Sequence, residues 1–410
     1  MTMAGDPIHR LRAALPRVLQ DPELLAAARG LQVRLRMACG PDAVDLEAAG
    51  DAVHVAEPGG EPDVVLAADP ETWARILAPV PPPGHQTFTA LQLANPGATV
   101  TGDPLRLAQA RPVLERLVEC LRGSAVPPPA PRDLGGIRGR YARLAAPDGS
   151  YDVFVEEAGQ GPPVVFLHTA GADARQYQAI LADPALAAAW RMAAFDLPFH
   201  GRSLPPEAWD GGAYALTQAR YLGWVVAFLE QVVGEPAVLV GCSMGAAMAL
   251  VVAAERPDLL RGVVALEPPL RSPGRHNPFL AHAQVSGGLH NAAYVRGLMS
   301  PSSPEGLRRR AGWIYAQGGP GVYAGDLGFY SDEFDGAVVA PRIDARRLPV
   351  HLLSGEYDYS ATPAAGAALH GLMPGSHHHV MPGLGHFPMC ENPDLFLQTF
   401  APVMASLRPR

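Results

Sequence analysis

Apolar and polar positions change their rhythm once along the chain. In the first third, short runs place apolar residues at every second position: LQVRLRMA (Leu31–Ala38), AVDLEA (Ala43–Ala48), AVHVAE (Ala52–Glu57) and DVVLAA (Asp63–Ala68). Gly, Pro or Asp separates them, a pattern that predicts an antiparallel meander with one covered face. DPETWARILA then starts on an Asp cap with helical periodicity. A short strand, ATVTG, leads through GDP into the helical LRLAQARPVLERLVECL, where Pro112 is expected to kink or restart the helix. Consecutive prolines in GSAVPPPAPRDLGG (Gly123–Gly136) favour an extended, semi-rigid linker.

Beyond that linker the apolar runs are continuous: VVFLH (Val164–His168), MAAFD (Met192–Asp196), AVLVG (Ala237–Gly241), GVVALE (Gly262–Glu267), PVHLLSG (Pro349–Gly355) and HHVM (His378–Met381). Strands without polar alternation are covered on both faces, and helix-like segments between them predict a mainly parallel α/β sheet. YDVFVEEAG (Tyr151–Gly159) does alternate and suits an antiparallel edge strand. The chain therefore reads as a smaller α+β domain (1–122), a linker (123–136) and an α/β domain (137–410). At roughly 100–200 residues per domain, the 410 residues fit this division.

Charge and composition narrow the chemistry. The formal charge of −8 argues against nucleic acid or an anionic membrane as partner, since both require basic surface. All 32 basic residues are Arg, which excludes a lysine Schiff base and the Gly-Lys-Ser/Thr of a P-loop. Arg308-Arg309-Arg310 is too short for a binding patch and is expected to be a solvated helix face. Cys39, Cys120, Cys242 and Cys390 are scattered and read as free thiols in a reducing compartment. The first residues lack the apolar stretch of a secretory signal, and a cytoplasmic protein is expected. An uncharged run from Pro236 to Ala254 approaches membrane-spanning length, but its centre, GCSMG, points elsewhere.

That centre is Gly241-Cys242-Ser243-Met244-Gly245, between a buried strand and the helical AAMALVVAA. A nucleophile on a sharp strand-to-helix turn needs small flanking residues, and the helix N-terminus places N–H groups near its oxygen. Four more landmarks accompany it. His168-Thr169-Ala170-Gly171 ends a strand where an oxyanion loop would lie, and FDLPFHGRS (Phe195–Ser203) forms a polar turn after the next strand. Asp358 follows a strand in HLLSGEYDYSATP, and His386 sits in the Gly-rich VMPGLGHFPMCENP. Together, over roughly Tyr151–Leu407, these pieces resemble the α/β-hydrolase superfamily, whose triad runs in the order Ser, acid, His.

The resemblance implies an α/β-hydrolase fold with a mostly parallel sheet and a helical cap at about 268–347. Ser243 would be the nucleophile, His386 the base and Asp358 the acid. The backbone N–H groups of Met244 and Ala170 would form the oxyanion hole, with Thr169 as the alternative donor. Many relatives begin this loop with His-Gly, whereas Thr169 stands at the Gly position here. Glu267 and Asp196 are rival acids, the second better suited to stabilising its turn. His168 and His200 are expected to tie loops, and Cys242 to be a small buried residue. Adjacent His377, His378 and His379 alternate faces on a strand and do not suggest a metal site. No cofactor is implied.

The segments VVLAADPETWARIL and ATVTGDPLRLAQARPVLERL, within Leu31–Leu121, resemble the sterol-carrier-protein fold, whose members often hold an apolar molecule. Phe279, Tyr294, Met299, Trp313, Tyr315, Tyr323, Phe329, Tyr330 and Phe334 crowd the expected cap, mostly as its own core. The leading expectation is a serine hydrolase of the esterase kind, cleaving a carboxylic ester, or an amide, of a small, apolar or aromatic substrate. Hydrolysis of a C–C bond in a diketone-like product, acyl transfer to an alcohol, and apolar-ligand binding without catalysis are the alternatives. A homodimer through the N-terminal sheet fits the pattern, although no residue demands it.

Overall fold

The computed structural model describes residues 7–57, 59–123 and 126–408. Part of the expected linker, residues 124–125, lies outside them, as does the start of the chain. Two sheets organise the molecule. The first has five strands: β1 (Leu31–Cys39), β2 (Asp42–Gly50), β3 (Ala52–Val55), β4 (Val64–Ala68) and β5 (Ala98–Gly102), in the order β3-β2-β1-β4-β5. The expected meander is only partly realised. β1, β2 and β3 pair antiparallel, but β4 crosses over to lie parallel to β1, with Leu35 opposite Val64. Alternation reports which face is buried and carries no information on which neighbour a strand chooses.

Five helices accompany this sheet: α1 (Pro7–Val18), α2 (Pro22–Ala28), α3 (Pro70–Ile76), α4 (Phe88–Ala94) and α5 (Pro104–Arg122). α2, α3 and α5 begin with the same device. Asp21, Asp69 and Asp103 turn their carboxylates back onto helix N–H groups, and proline follows at the first helical position, where its missing N–H costs nothing. α5 runs unbroken past Pro112, neither ending nor restarting there. It is packed against α1, α2, α4 and α10 (Gly287–Arg296, in the second domain), contacts that outweigh the one backbone bond proline removes. Leu11, Leu35, Leu46, Trp73, Phe88, Val113 and Leu117 form the core of this smaller α+β domain.

The second sheet has eight strands: β6 (Arg138–Ala146), β7 (Gly149–Ala158), β8 (Pro163–Leu167), β9 (Arg191–Phe195), β10 (Ala237–Cys242), β11 (Leu260–Leu266), β12 (Val350–Gly355) and β13 (His377–Met381). Their order is β13-β12-β11-β10-β8-β9-β7-β6, and every pairing from β13 to β9 is parallel. The edge belongs to β6, which pairs antiparallel with β7, so Tyr151–Gly159 lies one strand inside the position expected for it. Both faces are covered. Val165, Leu167, Leu239, Val263 and Leu352 enter one core with α8 (Gln218–Phe228) and α9 (Met244–Glu255), while Val164, Phe166, Val238, Val240 and Leu353 enter the other. That second core also holds residues of α6 (Gln178–Leu181), α7 (Pro184–Ala189) and the last helix, Pro393–Ser406.

A helical insertion separates β11 from β12. It includes α10 and α11 (Glu305–Ala316), which pack on each other. α10 lies against α5 of the first domain, and the joint is sealed by charge. Buried Glu119 of α5 meets Arg296 of α10 at 2.5 Å, Arg116 at 3.3 Å and Arg308 of α11. Burial works to raise the Glu119 pKa, but the three guanidiniums win and hold it well below the ordinary carboxylate range. Arg309 reaches Glu23 and Glu305, each at 2.8 Å. Arg308 is thus buried, which corrects the solvated position expected for it, while Arg309 and Arg310 keep the exposed face that was expected. A second domain supplies carboxylates that local sequence could not disclose.

Candidate active site

The turn from β10 into α9 explains its own sequence. Ser243 has φ of 55°, a left-handed conformation that a non-glycine residue adopts only under constraint. A Cβ on Gly241 would lie 2.1 Å from the Gly245 carbonyl oxygen, and one on Gly245 would lie 2.4 Å from that of Leu167. The two glycines let the strand, the helix and β8 approach closely enough for the turn to exist. Ser243 Oγ then lies 2.9 Å from His386 Nε2, and His386 Nδ1 lies 2.6 Å from Asp358 Oδ2. Three residues from separate loops form one hydrogen-bonded chain, nearly closed to solvent.

Asp358 is the ionised member. Burial works against its charge, but His386 beside it, with N–H bonds from Ser360 at 2.7 Å and Ala361 at 3.0 Å, holds its pKa below the usual range. Glu267 lies fully buried against it, and burial plus the Asp358 charge push Glu267 well above the ordinary carboxylate value. The environment therefore separates two neighbouring acids, one charged and one neutral. The Glu267 oxygens accept from Gly355 N at 2.8 and 2.9 Å, which fixes the end of β12 just before Asp358.

The loop after β8 supplies the opposite wall. Thr169 N–H is committed to Gln176 Oε1 at 3.0 Å, and the Thr169 hydroxyl engages Gln176 and Tyr315. That removes Thr169 as a free backbone donor. The N–H groups of Ala170 and Met244 have no acceptor among the described residues. Gly171 N donates to buried Asp326 at 2.7 Å, and Asp326 also meets His200 Nε2 and Tyr214 OH, each at 2.9 Å. His168 Nδ1 is 2.9 Å from the Thr169 carbonyl, and its Nε2 accepts from Leu197 N at 3.2 Å. Both histidines tie loops. Asp196 accepts from Ala174 N and Arg202 N, within the turn that was expected of it. Cys242 is buried, and its thiol donates to the His386 carbonyl at 3.3 Å. His351 stacks between His377 and His379, whereas His378 turns the other way, to Ser354.

Four of the nine insertion side chains line the cavity at Ser243: Tyr294, Tyr315, Tyr323 and Tyr330. The Tyr330 hydroxyl is 3.1 Å from Ser243 Oγ, a second partner for this serine that no sequence motif marked. Phe329 and Phe334 are buried in the core, and Trp313 is 65% exposed. Arg275, Asn277 and Asp326 were also missed, because the insertion has no motif against which to read them. Glu391, buried behind His386, accepts from Ser300 N and Gly385 N, and burial pushes its carboxyl up to about 8.

A family model described as alpha/beta hydrolase fold matches residues 162–291. The fold is the α/β-hydrolase fold.

A thermophilic esterase from Thermogutta terrifontis superposes with a TM-score of 0.57 at 19% identity, covering 66% of this chain and 100% of its own. The enol-lactonase from Burkholderia xenovorans LB400 gives 0.56 at 21% identity, covering 65% of this chain and 100% of its own. Among curated proteins, the dihydrolipoyllysine-residue acetyltransferase component of the acetoin cleaving system of Cupriavidus necator is 29% identical over 187 residues, 46% of this chain. That match spans 40% of the relative's length. The family-model match lies within the second domain, and the smaller α+β domain precedes it as a separate unit.

Proposed function

We propose that the protein is a serine hydrolase that cleaves a carboxylic ester, or an amide, of a small and largely apolar molecule through an acyl-enzyme on Ser243. The observation that carries this reading is the continuous chain Ser243 Oγ, His386, Asp358 at 2.9 and 2.6 Å. A serine hydroxyl is a weak nucleophile at neutral pH and needs a base in contact. As Oγ bonds to the substrate carbonyl carbon, its proton passes to His386 Nε2 and the carbonyl π pair moves onto oxygen. Asp358 keeps the imidazole oriented and stabilises its cation. The new oxyanion meets the free N–H groups of Ala170 and Met244. Collapse re-forms the carbonyl and expels the alkoxide, which takes the proton from His386. Water then repeats the sequence on the acyl-enzyme, releasing the acid and restoring Ser243.

Acyl transfer to an alcohol in place of water is the second reading. It uses the same residues, and the curated relative named above is an acetyltransferase component. Intact-mass measurement after treatment with a small fluorophosphonate tests the shared step. One adduct on the wild type, absent from Ser243→Ala, is expected, together with hydrolysis of short p-nitrophenyl esters. A folded wild type that takes no adduct and cuts no ester in the panel overturns the reading.

A further inference from the structure

The wall of the Ser243 cavity contributed by the insertion is unusual in its donors. Arg275 lines it with Asn277, Tyr294 and Tyr323. Arg275 is the one arginine on that lining, which holds no carboxylate. Among the described residues it forms no ion pair, and its single side-chain bond is from Nη2 to the Ser360 carbonyl at 2.9 Å. Nε and Nη1 are left without a partner. Asn277 uses its oxygen to accept from Phe279 N at 2.9 Å, which leaves its amide N–H groups free. The hydroxyls of Tyr294 and Tyr323 have no hydrogen-bond partner among the described residues. The wall thus offers several unused donors and no carboxylate.

Arg275 is only half-buried, and the charge of Asp358 helps to hold it as a cation, yet no carboxylate among the described residues lies within ion-pair distance, so its free nitrogens stay open to a ligand. The bond to Ser360 accounts for one of its nitrogens. Its planar fork suits two-point binding of a carboxylate better than any neutral ester oxygen. We infer that the substrate carries a carboxylate in addition to its scissile acyl group, and that Arg275, aided by Asn277, is the residue that selects it. This rests on the hydrolase reading given above and refines its substrate class. The apolar part of the molecule would lie against Leu280, Leu298 and Leu327, and its carboxylate would lie at Arg275.

Two substrate pairs make the test: p-nitrophenyl hemiglutarate against p-nitrophenyl pentanoate, and 4-acetoxybenzoate against its methyl ester. They place the charge on the acyl and on the leaving side respectively. At least one charged member is expected to exceed its neutral partner by about 30-fold or more in kcat/KM. Arg275→Met should remove that preference, mainly through KM of the charged member, so that the two members of each pair become equal. Arg275→Lys should restore part of the preference. Equal treatment of both members by the wild type overturns the inference, as does an equal loss on both in Arg275→Met, which is the signature of a merely structural tether to Ser360.

A binding measurement separates this inference from the hydrolase reading. Calorimetry of 4-acetoxybenzoate and its methyl ester on Ser243→Ala, with and without Arg275→Met, needs no chemistry. Selective binding of the acid that is lost with Arg275→Met supports the site even if Ser243 proves unreactive. No selectivity in Ser243→Ala sinks the site even if neutral esters are cut.

Discussion

The hydroxyl of Thr87, in the smaller domain, donates to the carbonyl of Gly297, in the insertion, at 2.6 Å. The same carbonyl accepts from Tyr359 at 2.8 Å, one residue beyond Asp358, and the next carbonyl, Leu298, accepts from His386 N at 3.1 Å. Tyr357, on the other side of Asp358, donates its hydroxyl to Pro81 at 3.0 Å. The smaller domain therefore holds the loops that carry Asp358 and His386. Thr87→Val should lower kcat on neutral esters by about 2–10-fold, the worth of one net hydrogen bond, with little change in KM. Thr87→Ser should restore it. Steady-state kinetics with a thermal melt on each variant checks that the loss is one of positioning.

Asp358 and Glu267 touch one another yet should respond very differently to neutralisation. Asp358→Asn removes the charge that orients His386, and kcat should fall by about 10³–10⁴-fold. Glu267 is held neutral, so Glu267→Gln keeps its charge state and should cost less than about tenfold. Rates of fluorophosphonate labelling and ester turnover for the two variants provide the comparison. Equal losses would make Glu267 the functional acid.

Acid should loosen the fold through His168. Burial first, and the neighbouring His200, lower its pKa from 6.5 to about 4. A depressed folded-state value means that the unfolded chain binds the proton more readily, so this stability is fully present above pH 6.5 and is lost as pH falls through 4. The geometry agrees, since a protonated Nε2 could no longer accept from Leu197. Urea unfolding should show about 2 kcal/mol less stability from this group at pH 5 than at pH 7. His168→Gln, which stays neutral, should flatten that part of the profile.

Glu119 is the hinge of the interdomain charge network. Glu119→Gln leaves Arg296 and Arg308 buried without their common carboxylate and should destabilise the protein by about 3 kcal/mol or more. The loss should persist at high salt, because buried pairs are poorly screened. Urea midpoints at low and high ionic strength measure both effects.

The grouping of Ser243, Asp358 and His386 was legible in the chain because each stands in a local context that constrains it. Ser243 needs Gly241 and Gly245 for steric reasons that hold wherever this turn occurs, and Asp358 and His386 each follow a strand of the parallel sheet. What escaped the sequence were relationships between distant segments. Nothing near β4 announces that it will lie beside β1, and Arg308 reads as a surface residue until Glu119 arrives from another domain. α1, α2 and α4 were also passed over, although Asp21-Pro22 carries the same capping signal that marked α3 and α5. Arg275 is ordinary in sequence and becomes informative only through the cavity it lines.

That cavity is also narrow. Four tyrosines, Arg275 and three leucines crowd the space beside Ser243. On the hydrolase reading, an ester that reaches Ser243 displaces side chains of the insertion, a motion of the microsecond-to-millisecond class. For the most reactive esters, admission and release would then set the pace in place of bond making. Adding a viscogen should slow those substrates and leave sluggish ones unaffected.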